Sequence, residues 1–322
     1  MDARALRPLG RTRLMVTPLG LGLAAVGRPA YITLGRAEDL GADRSVPAMR
    51  DRAWALLDAA WEAGVRYFDT ARSYGLAEEF LAGWLRDRGI APGAATIGSK
   101  WGYAYVGGWR MDAGYHEVKE LSAGQLRRQL EQTRALLGEY LSLYQIHSAT
   151  VESGVLDDED VLVRLHALRA EHVAIGLSTT GPRQARTIAR AIESGVFDTV
   201  QSTWNLFERS CEAALARAHE AGLGVIVKEA VANGRLTARA APAALAEAAR
   251  ERGVTPDAVA LAAVLARPWA GVVLSGAVST AQLRSNLTAT GVEWDQELDE
   301  RLAGLAEDPE TYWDTRAALS WR

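Results

Sequence analysis

Asp69 and Tyr74 stand five positions apart in the run Phe68-Asp69-Thr70-Ala71-Arg72-Ser73-Tyr74-Gly75. Lys100 closes the apolar stretch Thr96-Ile97-Gly98-Ser99, and His147 closes Leu143-Tyr144-Gln145-Ile146. Each of the four lies at, or just past, the end of a strand-like segment. Together they make a proton-transfer set. A tyrosine hydroxyl has a reference pKa of about 10, too high for easy transfer at neutral pH. A lysine ammonium beside it stabilises the phenolate and lowers that pKa. A carboxylate keeps the lysine charged and oriented, and a neutral histidine can hydrogen-bond a substrate oxygen and aim it at the tyrosine. Such a set gives a proton to a carbonyl oxygen and removes it in reverse. Side chains hold no hydride, so redox chemistry here requires a bound nicotinamide. Singly, each residue has a plainer reading as a cap, a loop tyrosine, a solvated lysine or a core histidine. Their order on successive strands is what argues for chemistry.

Eight short apolar segments read as strands: Val16–Leu23, Val65–Asp69, Ala95–Ser99, Ser142–His147, Val173–Ser178, Thr199–Ser202, Gly224–Lys228 and Gly271–Ser275. Amphipathic stretches between them read as helices, near Val46–Ala63, Ala77–Arg88, Ser122–Glu139, Asp158–Ala170, Pro182–Ser194, Glu208–Ala221, Ala240–Arg252 with Pro256–Ala266, and Thr280–Thr290. Ala63-Gly64 and Ala221-Gly222 suit left-handed helix ends. Alternating strands and helices imply parallel pairing through crossovers. Eight units match a closed (β/α)8 TIM barrel, with an open doubly wound sheet as the rival. In a barrel the C-terminal strand ends converge on one mouth, so Asp69, Tyr74, Lys100 and His147 would meet there. Two segments break the rhythm. Ala24–Ser45 is a long first βα loop, and Glu293–Arg322 is a C-terminal extension placed to lie over the barrel mouth. Long loops of this kind are often lids. No linker or low-complexity block interrupts the chain, so residues 1–322 read as one domain.

The 322 residues are 48% hydrophobic with a net charge of −4. That suffices for a large core and gives no reason to expect nucleic acid or an anionic membrane as partner. Cys211 is the sole cysteine; it reads as an inert helix position, and an intrachain disulfide is impossible. The start, Met1 to Pro8, lacks the apolar core of a signal peptide, and no apolar run is long enough to span a bilayer. A soluble cytoplasmic protein, monomeric or weakly self-associating, is expected. Gly20-Leu21-Gly22-Leu23-Ala24-Ala25-Val26-Gly27 imitates a dinucleotide fingerprint, but its third glycine is misplaced. His116, His166, His172 and His219 show no metal-ligand spacing, so no metal is expected.

The chain resembles the aldo-keto reductase family over essentially its whole length. The resemblance is carried by Arg7-Pro8-Leu9-Gly10-Arg11-Thr12, Phe68-Asp69-Thr70-Ala71 with Ser73-Tyr74-Gly75, Ser99-Lys100, Tyr144-Gln145-Ile146-His147, Ile175-Gly176-Leu177-Ser178, Trp204-Asn205-Leu206, and Gly276 through Asn286. It implies a (β/α)8 barrel performing nicotinamide-dependent carbonyl reduction or alcohol oxidation on aldehydes, ketones or sugar-like hydroxyls. It also implies a role for each residue of the set: Tyr74 as general acid/base, Lys100 as its partner, Asp69 as the partner of Lys100, and His147 as carbonyl orienter.

The same resemblance puts the nicotinamide carboxamide near Ser178, Thr179 and Gln201, with Gly22, Glu229, Val231 and Asn233 along the cofactor groove. The family's usual residue after the serine is Asn, and Thr179 has a shorter reach. Many members carry a stacking aromatic where this chain has Lys228; an ammonium could bond a pyrophosphate oxygen or pair with Glu229 instead. The adenosine end falls on Gly276, Ser279, Gln282 and Asn286. Ser279 and Gln282 have capping-box spacing, and a helix starting there offers free amides to phosphate. The resemblance favours NADP(H), with NAD(H) open. Trp101, Tyr103 and Trp109 after Lys100, and Tyr312, Trp313 and Trp321 from the tail, are expected to line or close a pocket for a small carbonyl or alcohol compound. Two rival functions remain: a cofactor-sensing binding protein, as in members attached to potassium channels, and a cofactor-free lyase or isomerase using Lys228.

Overall fold

Strands buried on both faces need apolar or polar-but-paired residues throughout, and the central segments of this chain supply them. A computed structural model describes residues 5–321; Met1 to Arg4 of the expected leaderless start, and Arg322, lie outside the described residues. Eight parallel strands close into a barrel. They are β1 (Leu19–Gly22), β2 (Tyr67–Asp69), β3 (Thr96–Trp101), β4 (Leu141–Ala149), β5 (Ala174–Thr179), β6 (Thr199–Thr203), β7 (Gly224–Lys228) and β8 (Val272–Ser275). Each pairs with its sequence neighbours, and β8 closes onto β1. Helices follow the strands, starting from Val46–Glu62 and Ala77–Asp87. This is a (β/α)8 barrel, as the alternation predicts.

The expected strand Val16–Leu23 divides in two. Met15–Val16 turns back antiparallel onto Arg7–Pro8, and β1 begins only after Pro18, which has no N–H to donate to a ladder. The hairpin plugs the barrel's N-terminal end. Leu9 and Val16 pack there with Tyr67, Leu143, Ile226 and Val272. Gly10 permits the plug: its φ is 58°, and a Cβ would stand 2.2 Å from the Gly224 nitrogen. Gly64 and Gly222 have positive φ at the two helix ends where the sequence predicts them.

The long first loop is ordered by its own arginines. Arg36 is buried and donates to the carbonyls of Ala25 and Pro29 at 2.8 Å each. Arg44 adds bonds to Pro29, at 2.8 Å, and to Ala37, at 3.0 Å. Burial pushes the Arg36 guanidinium down to about 9. Loop carbonyls, which would otherwise be left unpaired, thus gain charged donors. After β3 the chain makes a second hairpin, Tyr103–Tyr105 with Glu117–Lys119. The tail adds helices Gln296–Ala303 and Pro309–Ala317. Asp308 caps the second of these and Pro309 starts it.

Candidate active site

In a strand, alternate residues face the same side. Tyr67, Asp69, Gly98 and Lys100 therefore point into the barrel. Register sets Asp69 beside Gly98 on the neighbouring strand, and a Cβ at Gly98 would stand 3.6 Å from Asp69 Oδ2. Lys100 pairs with Asp69 and donates to the Thr70 carbonyl at 3.0 Å. It also donates to the Tyr74 hydroxyl at 3.4 Å. Gln201 on β6 donates to the other Asp69 oxygen at 2.9 Å. Lys100 is wholly buried and Asp69 nearly so, and the pair sits under the tyrosine as a fixed charged floor.

His147 reaches the same spot through an irregularity. The register of β4 against β5 shifts between Ile146 and Ala149, and Ser148 has φ 55°. Such bulges re-aim a side chain. The His147 ring lies 5.4 Å from the Tyr74 ring and 5.0 Å from that of Tyr103. Its Nδ1 is 3.4 Å from the Ser73 hydroxyl. With that hydroxyl donating, Nε2 carries the ring proton toward the cleft. Burial pushes the imidazole well below its ordinary value, and Lys100, Arg28, Lys228 and Lys119 push it the same way. The imidazole is neutral at neutral pH. The structure therefore brings Asp69, Tyr74, Lys100 and His147 together.

Tyr74 departs from the expectation of a lowered pKa. Burial pushes its phenol well above the ordinary value, Asp69 adds to the rise, and Arg28 opposes it. Desolvation outweighs the neighbouring cations, so the hydroxyl is protonated at neutral pH.

A cleft of about 1160 Å³, counted out to its open mouth, runs from this group toward the start of the last barrel helix. Of the expected groove residues, Gly22, Gln201, Lys228, Glu229, Val231, Asn233 and Gly276 line it. Ser178 faces inward, accepting from the Ser148 amide at 2.8 Å with its own proton free to donate. Thr179 faces the opposite way, bonded to Ser202 at 2.7 Å and Gln184 at 3.1 Å, and Thr180 lines the cleft instead. Ser279 caps the helix Thr280–Leu287 by accepting from the Gln282 amide. The Gln282 side chain accepts from Val278 at 2.9 Å and donates to Asp39 at 2.7 Å. Asn286 sits 2.8 Å from the hydroxyl of Ser275, a cleft residue, and supports it from behind.

Four expected pocket residues lie elsewhere. Tyr312 is buried in the core, its hydroxyl accepting from the Asn205 amide at 3.0 Å. Trp101 follows inward-facing Lys100 and so faces outward, fully buried in the main core. Trp109 donates to the Arg44 carbonyl at 2.8 Å and packs edge-on against Phe80, tying two loops together. Trp313 packs behind Lys228, whose Nζ is 5.7 Å from its ring centre. Tyr103 and Trp321 do line the cleft, with Arg28, Tyr31, Glu117 and Arg316, which sequence reasoning missed. No local motif marks these last four. They come from two loops and the tail and meet only in the fold.

Lys228 donates to the Thr203 hydroxyl at 2.8 Å and lies 3.8 Å from Glu229. Burial pushes its ammonium down to about 8; Glu229 opposes this, and Arg316 and Lys100 reinforce it. Glu229 has φ 58° and takes three hydrogen bonds from Arg316, between 2.5 and 3.0 Å. Burial alone would raise this carboxyl, but Arg316 and Lys228 win and hold it down to about 2. Cys211 caps its helix, buried, with its thiol donating to the Thr203 carbonyl at 3.3 Å. Among the described residues no three His, Cys, Asp or Glu side chains gather as a metal site requires. No helix among them is long and apolar enough to cross a membrane.

An elongated anionic cofactor fits these residues. Asn233 Oδ1 is buried with no hydrogen-bond partner and lines the cleft. Gln201 uses its amide nitrogen on Asp69, leaving its carbonyl oxygen as an acceptor for a carboxamide. Lys228 and Arg316 add positive charge, and a Cβ at Gly276 would meet nothing within 4 Å.

A sequence model described as the Aldo/keto reductase family matches residues 32–307. An uncharacterized oxidoreductase, YqkF, from Bacillus subtilis (strain 168) is 26% identical over 310 residues, covering 88% of this chain and 90% of that one. Pyridoxal 4-dehydrogenase from Microbacterium luteolum is 31% identical over 158 residues, 43% of this chain and 41% of that one. Among solved structures, the aldo-keto reductase AKR11C1 from Bacillus halodurans, in its holo form, superposes with a TM-score of 0.73 at 22% identity. That match covers 95% of this chain and 97% of the other.

Proposed function

The chain belongs to the aldo/keto reductase family, and from that premise we propose an NAD(P)(H)-dependent oxidoreductase of small carbonyl and alcohol compounds. The carrying observation is the convergence of Tyr74, Lys100, Asp69 and His147 at one end of the cleft. A bound nicotinamide would supply the hydride. Ser178 and Gln201 would hold its carboxamide, and Lys228, Arg316 and Asn233 would face its phosphates and ribose. His147 Nε2–H and the Tyr74 hydroxyl converge on a substrate oxygen. Tyr74 is protonated at neutral pH and is poised as the acid of reduction. Lys100, held by Asp69, stabilises the phenolate left behind. Tyr31, Tyr103 and Trp321 exclude water from the substrate side. The tail and both loops are read with the barrel as one domain, soluble and cytoplasmic.

NADP(H) is the first reading. NAD(H) is the second, and one observation favours it: the Asp39 carboxylate, itself paired with Arg239, takes the Gln282 amide, so a 2′-phosphate at this helix start would meet a negative charge. Titration with NADPH and NADH, followed by tryptophan fluorescence, tests the proposal, since Trp321 borders the cleft. Saturable quenching is expected with at least one. No quenching by either up to millimolar concentration contradicts it.

A further inference from the structure

Tyr74 has a second ion pair on its other side. Arg28, in the first loop, is 2% exposed. It donates to the carbonyl of Ser73, the residue before Tyr74, at 3.0 Å and to Glu117 of the second hairpin at 2.8 Å. Its guanidinium carbon lies 5.3 Å from the Tyr74 ring centre and 4.8 Å from that of Trp321. Its Nε is buried with no hydrogen-bond partner among the described residues. Three separate segments thus build one charged cap over the phenol. We propose that the Arg28–Glu117 pair is a tuning device for Tyr74: Arg28 is a positioning residue that favours the phenolate, and Glu117 moderates it.

This tuning role rests on the reading of Tyr74 as the acid/base, and its geometry is independent of any substrate. Lys100 and Asp69 face the phenol from β3 and β2, His147 from β4, and Tyr67 from the barrel interior. Tyr31 faces it from the first loop, and Glu229 from the end of β7. Lys100 is matched by Asp69, and Glu229 by Arg316. Arg28 acts on Tyr74 more strongly than does its own partner Glu117. Removing it leaves Glu117 unbalanced; removing Glu117 leaves Arg28 unbalanced. The two losses act on Tyr74 with opposite sign.

That opposition is the test. Incorporating 3,5-difluorotyrosine at position 74, whose phenol titrates well below that of tyrosine, allows ionisation to be followed by ¹⁹F NMR in the full chain without cofactor or substrate. Arg28→Gln should move the midpoint up by about two pH units, the scale of a unit charge roughly 5 Å off at an effective dielectric near 20. Glu117→Gln should move it down by a smaller amount. Arg28→Lys should stay near the parent, and the double Arg28→Gln/Glu117→Gln variant should return toward it. Shifts of the same sign in both single variants, or none beyond a few tenths, overturn the proposal. Glu117 is partly exposed, so its variant gives a reading even if Arg28→Gln fails to fold. Turnover by the Tyr74→Phe variant would instead overturn the acid/base reading and leave this result standing.

Discussion

Arg316→Ala removes the partner of a carboxylate that the fold has taken out of water. The Glu229 side chain is 9% exposed and that of Arg316 is 23% exposed. Breaking a buried pair by removing one member costs about 3–5 kcal/mol. Two features lower this here. The Thr203 hydroxyl at 3.2 Å and Lys228 at 3.8 Å remain beside Glu229, and the exposed part of Arg316 is screened by solvent. A loss of about 2–3 kcal/mol is expected at pH 7. At roughly 2 cal/mol/K per residue, a chain of this length unfolds with an entropy near 0.7 kcal/mol/K, so Tm falls by about 3–4 °C. Glu229 is held down to about 2, so its contribution is present above the ordinary carboxylate value of about 4.3 and is lost as pH falls from there toward 2. Urea unfolding at several pH values, with Glu229→Gln and the double variant, completes a cycle. The double variant should recover at least half the loss. A deficit under about 0.5 kcal/mol in Arg316→Ala, or no recovery in the double variant, refutes the reading of Glu229–Arg316 as a coupled, stabilising ion pair.

Other consequences are simpler. Lys228, pushed down to about 8, should titrate there by NMR of the ¹³C-methylated amine. Because its folded value lies below its unfolded one, its effect on stability rises with pH between about 8 and 10.4. Dinucleotide phosphates beside it should raise its pKa and cause proton uptake at pH 8, seen as a buffer-dependent binding enthalpy; no dependence would show that Lys228 does not meet them. Gly27→Ala would set a Cβ 2.3 Å from the Tyr74 carbonyl and 2.4 Å from Ala77 Cβ. It should cost about 1–3 kcal/mol and reduce turnover. Gly291→Ala, with nothing within 4 Å, should change thermal stability little.

The barrel was legible because its strands are short, apolar and separated by capped helices, so period and punctuation agree. Only β1 was misjudged, since Val16 and Leu19 read as one apolar run and the break at Pro18 follows from tertiary pairing. Asp69 and Lys100 were legible from their places at strand ends, and Gln201 through the family resemblance; in the fold, strand alternation turns all three inward. Thr179 and Trp101 show the same rule neglected: each follows an inward residue and therefore faces out. Arg28, Glu117 and Arg316 were not legible. Their partners are 89 residues away for Arg28 and 87 for Arg316, and loop carbonyls held by buried arginines leave no periodic trace. The raised phenol of Tyr74 was also hidden, because desolvation depends on closure by loops and tail rather than on the residues of the tetrad.

The Tyr74→Phe variant tests the central claim most directly. Rates should be compared with the wild type on one carbonyl compound that the wild type reduces, alongside NADPH and NADH affinity by tryptophan fluorescence. Turnover should fall by about 10²–10⁴, while cofactor affinity stays within a few-fold, since the proposal puts the hydroxyl on the substrate oxygen and not on the dinucleotide. Turnover near the wild-type rate with intact cofactor binding would contradict the account.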